Sequence, residues 1–231
     1  MIAALSVRSQ KSAGRSHVGV FVIAAGLLSL AIDAFGQTTM KEIAAVEEPA
    51  TDRWSFSITG SGNFVPGTRD YSQPTFTANH AWLHLEARYN YEDIETASTW
   101  IGYNFRIGKK VTFEFTPMLG GVFGNTTGVA PGYELTLGYW KMELFSESEF
   151  VYDAGDSSGN FFYTWSQLTL SPTNWCQIGI VIQRTRAYET DRDIQRGFLI
   201  GFSYKTWNLT TCVFNLDTSR PNTVVALQFS F

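Results

Sequence analysis

Beyond residue 32 the chain is written in a period of two. From Trp54 to Phe231 it runs in segments of roughly ten residues that alternate apolar and polar side chains and are separated by turn residues. Ala81–Tyr91 is the clearest case: Ala81, Leu83, Leu85, Ala87, Tyr89 and Tyr91 alternate with Trp82, His84, Glu86, Arg88 and Asn90. Successive side chains on a strand point to opposite faces, so the segment has one apolar face and one polar, charged face. No apolar run after Ile32 approaches 18 residues, which excludes a helical membrane protein.

Alternation alone does not say which face meets water, because a soluble sandwich shows the same pattern with its apolar side turned inward. Composition narrows the choice. The 231 residues are 44% hydrophobic and 15% aromatic but only 16% charged, against about 25% charged in soluble domains. That greasiness excludes disorder. The formal charge of −4, with no cluster of Lys and Arg, disfavours a nucleic-acid partner. Two cysteines are too few for a disulfide scaffold, and no CxxC or HExxH pattern points to a metal site. No cofactor is expected.

The N-terminus reads as an address. Residues 1–17 carry Arg8, Lys11 and Arg15 without an acid, followed by the 15-residue apolar run Val18–Ile32. This run is short of the ~20 residues that span a bilayer as a helix. Ala34-Phe35-Gly36 places small residues where a signal peptidase requires them. Residues 1–36 are therefore expected to be a cleaved signal peptide rather than a retained anchor helix. Residues 37–53 follow as a short acidic periplasmic tail, with at most one helical turn around 41–46.

The other end decides the solvent. Thr223–Phe231 (TVVALQFSF) puts Thr223, Val225, Leu227, Phe229 and Phe231 on one face and Val224, Ala226, Gln228 and Ser230 on the other. This resembles the C-terminal strand of bacterial outer-membrane β-barrel proteins, and the chain as a whole resembles a family of such barrels without an assigned activity. The resemblance implies that Phe231 is an assembly signal read by the barrel-assembly machinery. It also implies a bacterial outer-membrane location, with outer-membrane lipid and lipopolysaccharide as partners.

The fold class expected is all-β, a closed antiparallel transmembrane β-barrel over residues 54–231. Short connections at 108–110, 139–141, 172–174 and 207–208 alternate with longer polar ones at 125–131, 153–159, 189–195 and 219–222. Short periplasmic turns and longer outer loops are the rule in such barrels. Ten strands count back from Phe231 to residue 81. Trp54–Val65, with Trp54, Phe56, Ile58 and Phe64 on one side, and Tyr71–Ala78 bring the total to about twelve. Pro74 weakens the second of these, since proline cannot donate to a ladder, and ten strands is the alternative.

Parity then separates lumen from lipid. The lumen is expected to receive His84, Glu86, Arg88, Asn90, Trp100, Asn104, Arg106, Glu114, Glu134, Glu143, Glu147, Glu149 and Lys205, with Thr116, Thr136, Gln177 and Gln183. Six glutamates face Arg88, Arg106 and Lys205, which would favour cations. Alternatively the carboxylates pair with Arg88 and Arg106 and plug the barrel, because unpaired buried charge is costly, or they take up protons. Arg184 and Arg186 turn toward lipid by parity. They belong at the outer rim, touching lipopolysaccharide phosphates, unless a bulge turns them inward to Glu189, Asp191 and Asp193.

The function expected is a porin-like outer-membrane channel passing small solutes or cations. A closed structural or surface-interaction barrel is the alternative. An outer-membrane lipid hydrolase is less favoured, since it needs a Ser–His pair on the outer lipid-facing wall, whereas His80 sits at a periplasmic turn and His84 in the lumen. Asp153–Gly159 lacks the terminal Glu of a calcium loop. Cys176 and Cys212 share lipid-facing parity two strands apart, beyond disulfide reach, and are expected to be free thiols.

Overall fold

The computed structural model describes residues 53–67, 69–155, 159–187 and 193–231. The expected signal peptide, nearly all of the N-terminal tail, and Glu189, Asp191 and Arg192 lie outside these residues. Thirteen strands follow one another with no intervening helix among the described residues. They are β1 Ser55–Phe64, β2 Tyr71–His80, β3 Leu83–Tyr89, β4 Thr96–Tyr103, β5 Phe105–Ile107, β6 Val111–Gly124 and β7 Gly128–Tyr139. The second half comprises β8 Met142–Asp153, β9 Phe161–Thr173, β10 Cys176–Ala187, β11 Asp193–Tyr204, β12 Trp207–Phe214 and β13 Asn222–Ser230.

Apart from β4 and β5, which do not pair with each other, successive strands pair antiparallel, and β1 pairs with β13 from Ser57↔Ser230 to Phe64↔Thr223, closing the sheet on itself. β4 and β5 both pair with β6 and make one stave interrupted at Asn104, so the barrel has twelve staves, as the sequence pattern predicts. The break has a local cause. The Asn104 backbone N–H donates to the Trp82 carbonyl at 2.7 Å while its side chain turns inward.

Pro74 does not interrupt β2. It pairs with Gly60 of β1, while the ladder to β3 begins only at Thr75↔Arg88, so the proline lies just beyond that ladder.

The connections alternate in length. Tight turns at Ala81, Trp140 and Lys205, each with a positive φ near +50°, lie at the end where β1 begins and β13 finishes. The turn after β11 falls at Lys205-Thr206, two residues before the position expected from sequence. The 125–131 connection is also shorter than expected, since β7 already starts at Gly128.

The outer surface is apolar in its middle and aromatic at its rims. Ile58, Ile101, Leu119, Ile180 and Phe198 are 48–63% exposed. Trp54, Trp82, Tyr103, Tyr139, Trp140, Trp175 and Trp207 gather near the end where β1 begins and β13 finishes. An apolar band between aromatic girdles is the exterior a barrel presents to acyl chains and headgroups. At the closing seam Phe231 exchanges two backbone hydrogen bonds of 2.9 Å with Phe56 and stacks on its ring at 5.6 Å. The terminal aromatic thus ties the last stave to the first.

Candidate functional site in the barrel lumen

The inner row of β3 is His84, Glu86 and Arg88, three charged or ionisable groups at period two, and all are at least nine-tenths buried. β8, on the far side of the ring, presents Glu147 and Glu149 in the same way. Arg88 spans the gap between them. Its guanidinium meets Glu86 at 2.9 and 3.0 Å and reaches Glu147 at 2.9 Å and Glu149 at 3.0 Å, with Glu92 at 3.9 Å. The same group lies 4.4 Å from the Tyr91 ring centroid and 4.7 Å from that of Trp100. Ion pairing, forked hydrogen bonds and two aromatic faces offset the cost of burying the charge.

The loop after β3 completes this brace. Asn90 adopts a left-handed φ of 56°, donates to the Ser72 carbonyl at 3.0 Å and accepts from the Glu95 N–H at 2.8 Å. Its turn sends Tyr91 and Glu92 inward. The Tyr91 hydroxyl donates to Glu147 at 2.9 Å. Glu92, 1% exposed, accepts from the Ser98 hydroxyl at 2.6 Å and from the Trp100 indole N–H at 3.2 Å. The Thr126 hydroxyl donates to Asp93 at 3.0 Å. Gly120 makes room for the Trp100 ring, because a Cβ there would lie 2.6 Å from ring carbons.

Trp100, Met118, Val122, Ala130, Val151 and Phe161 pack into an apolar cluster on the β4–β9 side of the interior. A second cluster, Val181, Leu199, Cys212 and Phe214, lies under β10–β12. Space remains beside them. A cavity of about 1210 Å³ runs along the entire inner face of β1, from Ser55 to Asn63, and continues over β2, β12 and β13. That wall is hydroxyl and amide: Ser57, Thr59, Ser61, Thr75, Thr77, Thr210 and Gln228. The opposite side brings in His84, Glu86, Glu92, Glu114, Glu134 and Glu147, and the lining's two arginines are Arg53 and Arg106.

The residues expected in the lumen divide. His84, Glu86, Asn104, Arg106, Glu114, Glu134, Glu147, Trp100 and Gln183 face the interior, with Arg88 and Glu149 in the buried brace. Arg106 does not reach across the barrel. It pairs with Glu114 on the next stave at 2.9 Å, where both side chains are well exposed near the mouth. Glu143 and Gln177 border a smaller recess near Lys109, Lys110 and Lys141 at the end where β1 begins.

Three expectations are corrected. Lys205 is the exposed residue of the β11–β12 turn, its ammonium 5.3 Å from the Tyr204 ring, because that turn comes two residues early. Asn90 is a turn residue rather than a strand residue, because β3 ends at Tyr89. Cys212 likewise differs from its expected lipid-facing parity: it is 3% exposed and faces the cavity. Both cysteines are free thiols. Arg184 stands beside Phe162 with its guanidinium 5.5 Å from that ring, toward the outer end of β10. Arg186 pairs in register with Phe162.

Tyr91, Glu92 and Tyr163 are interior residues that the strand pattern does not reveal. The one signal for the first two is the run Tyr91-Glu92-Asp93 directly after a turn-forming Asn.

No protein-family model and no curated protein matches the chain. Solved structures do match. The chain superposes on the KdgM porin with a TM-score of 0.57 at 13% identity, covering 76% of this chain and 99% of the porin. It superposes on the KdgM porin in complex with disordered oligogalacturonate with a TM-score of 0.54 at 11% identity, covering 77% of this chain and 99% of that one. The fold is therefore a closed antiparallel barrel of twelve staves, of the kind the KdgM porin has. At these identities the likeness is one of architecture.

Proposed function

We propose that this protein is a passive channel of the bacterial outer membrane whose lumen favours small cations and cationic solutes. The observation that carries the reading is the cavity along β1, lined on one side by neutral hydroxyls and on the other by more glutamates than arginines. A solute there exchanges its water for side-chain oxygens while carboxylates bias the local concentration toward positive charge. The reading assigns no catalytic step. An acidic lumen would repel an acidic oligosaccharide such as the oligogalacturonate bound to the KdgM porin. On this reading the same architecture serves solutes of opposite charge.

Planar-bilayer recording of the purified protein in a KCl gradient tests the proposal. The expected result is a reversal potential of cationic sign. Glu134→Gln is expected to reduce it, since that carboxylate faces the cavity without an ion pair of its own. Glu147→Gln with Glu149→Gln is expected to reduce it further, with some loss of stability because both carboxylates hold Arg88. Absence of conductance would remove the channel reading in favour of a closed barrel. Lipid turnover abolished by His84→Ala would remove it in favour of a hydrolase.

A further inference from the structure

Three donor side chains meet on the lumen wall in a way the conduction reading does not use. His84 and Glu86 come from β3 and Glu134 from β7, three staves away around the ring. One nitrogen of His84 and one carboxylate oxygen of each glutamate lie within 4.8 Å of one another. Between them Gly102 stands in register with His84, and Thr116 with Glu134. A Cβ at Gly102 would lie 2.9 Å from the Thr116 methyl. The glycine thus lets the intervening staves pack closely enough for β3 and β7 side chains to meet.

The histidine is held by a polar chain. The Thr116 hydroxyl donates to Asn104 Oδ1 at 2.8 Å, and Asn104 Nδ2 donates to Asn79 Oδ1 at 2.9 Å. That oxygen also faces His84 Nδ1 at 2.9 Å. An amide oxygen can only accept, so the Nδ1 proton is fixed there and Nε2 is the atom turned toward the carboxylates, 3.4 Å from Glu86 Oε2. Nε2 can meet that carboxylate through a proton, as an ion pair, or through a bound cation, at a residue 3% exposed. A histidine whose second nitrogen is tied to an oxygen acceptor is the usual support of a metal ligand. Arg88 donates to both oxygens of Glu86, but each carboxylate oxygen can accept a second partner. Glu134 makes no hydrogen bond or ion pair with the described residues, so its oxygens are available.

From these juxtapositions we propose that His84, Glu86 and Glu134 form a binding site for one divalent first-row transition-metal ion, with its remaining coordination position open to the cavity. Metal–nitrogen and metal–oxygen distances of about 2.0–2.2 Å allow donors up to about 4.2 Å apart in one coordination shell, so side-chain rotations of under about 1 Å close the set. One imidazole with two carboxylates suits zinc, cobalt, iron or manganese better than soft copper(I).

Isothermal titration of the detergent-solubilised full barrel with Zn²⁺, and visible absorption on titration with Co²⁺, test the site without any current being measured. One ion per barrel is expected. Glu134→Gln and His84→Ala should each weaken binding more than about tenfold. The first is isosteric and breaks no existing bond, so it serves even where the second fails to fold. Asn79→Ala should cost about tenfold through loss of positioning, and Asn79→Asp, which keeps the acceptor, should restore binding. Asp217→Asn, on an exposed loop, should leave it unchanged. Absence of saturable binding to the unmodified barrel, or affinity unaltered in Glu134→Gln, would overturn the proposal. A barrel that binds the ion but passes no current would keep this site and remove the channel reading.

Discussion

The two walls of the lumen are built on opposite plans. Along β1 and β2 the inner row is mostly Ser, Thr, Asn and Gln, and β12 and β13 continue it with Asn208, Thr210 and Gln228 beside the apolar Cys212, Val224 and Ala226. The polar side chains bond to immediate neighbours, as Asn63 does to Gln73 at 2.8 Å and Thr210 to Asn208 at 2.8 Å. From β3 round to β8 the inner row carries charge, and its bonds cross the barrel, joining residues such as Arg88 and Glu149 that lie 61 positions apart. The neutral wall can be wet, because water satisfies a hydroxyl as well as a protein partner does. The charged wall cannot easily be pulled apart, because each group left alone in the interior would carry a large desolvation cost. The first wall borders the cavity and the second braces the barrel from within.

That contrast can be broken most directly at Arg88. Arg88→Met removes the one guanidinium facing Glu86, Glu147, Glu149 and Glu92, and should destabilise the barrel by about 3–5 kcal/mol. The readout is the urea midpoint of unfolding in lipid vesicles. Arg88→Lys should recover only part of the loss, since an ammonium cannot reproduce the planar fork. A midpoint unchanged in Arg88→Met would mean that the brace carries no stability.

A smaller effect is expected at Gly120→Ala, where the new methyl meets the Trp100 ring. Overpacking there should cost about 1–3 kcal/mol, read by the same unfolding curves and by a change in the fluorescence of the displaced indole. The smallest change belongs to the neutral wall. Thr77→Ala should alter stability by no more than about 0.5 kcal/mol, because its hydroxyl faces the cavity. A loss as large as that at Gly120 would show that the two walls are not energetically distinct.

Much of the fold was legible because a membrane barrel exposes its rule in every stave. Lipid demands an apolar side chain at each second position, so the parity of Leu83, Leu85 and Ala87 assigned His84, Glu86 and Arg88 to the interior before any contact was known. Trp54–Val65 and Tyr71–Ala78 were readable as the first two staves for the same reason, Pro74 notwithstanding. The misreadings occurred where parity stops. Asn90 and Lys205 sit at left-handed turn positions, and a turn displaced by one or two residues carries side chains out of the alternation. Tyr91 and Glu92 were lost with Asn90, because a pattern of period two says nothing about a loop that folds back into the lumen. Cys212 shows the complementary limit: a small apolar residue fits a packed interior cluster as well as a lipid face.

The sequence by itself determined the alternation and the number of staves, since these follow from side-chain chemistry repeated along one strand at a time. Only the tertiary structure decided which carboxylates Arg88 satisfies, where the free volume lies, and that His84 of β3 meets Glu134 of β7. Those outcomes depend on closing the sheet. Closure brings staves that are distant in sequence face to face across a narrow interior, and no local pattern encodes which inward side chains are long enough to meet there.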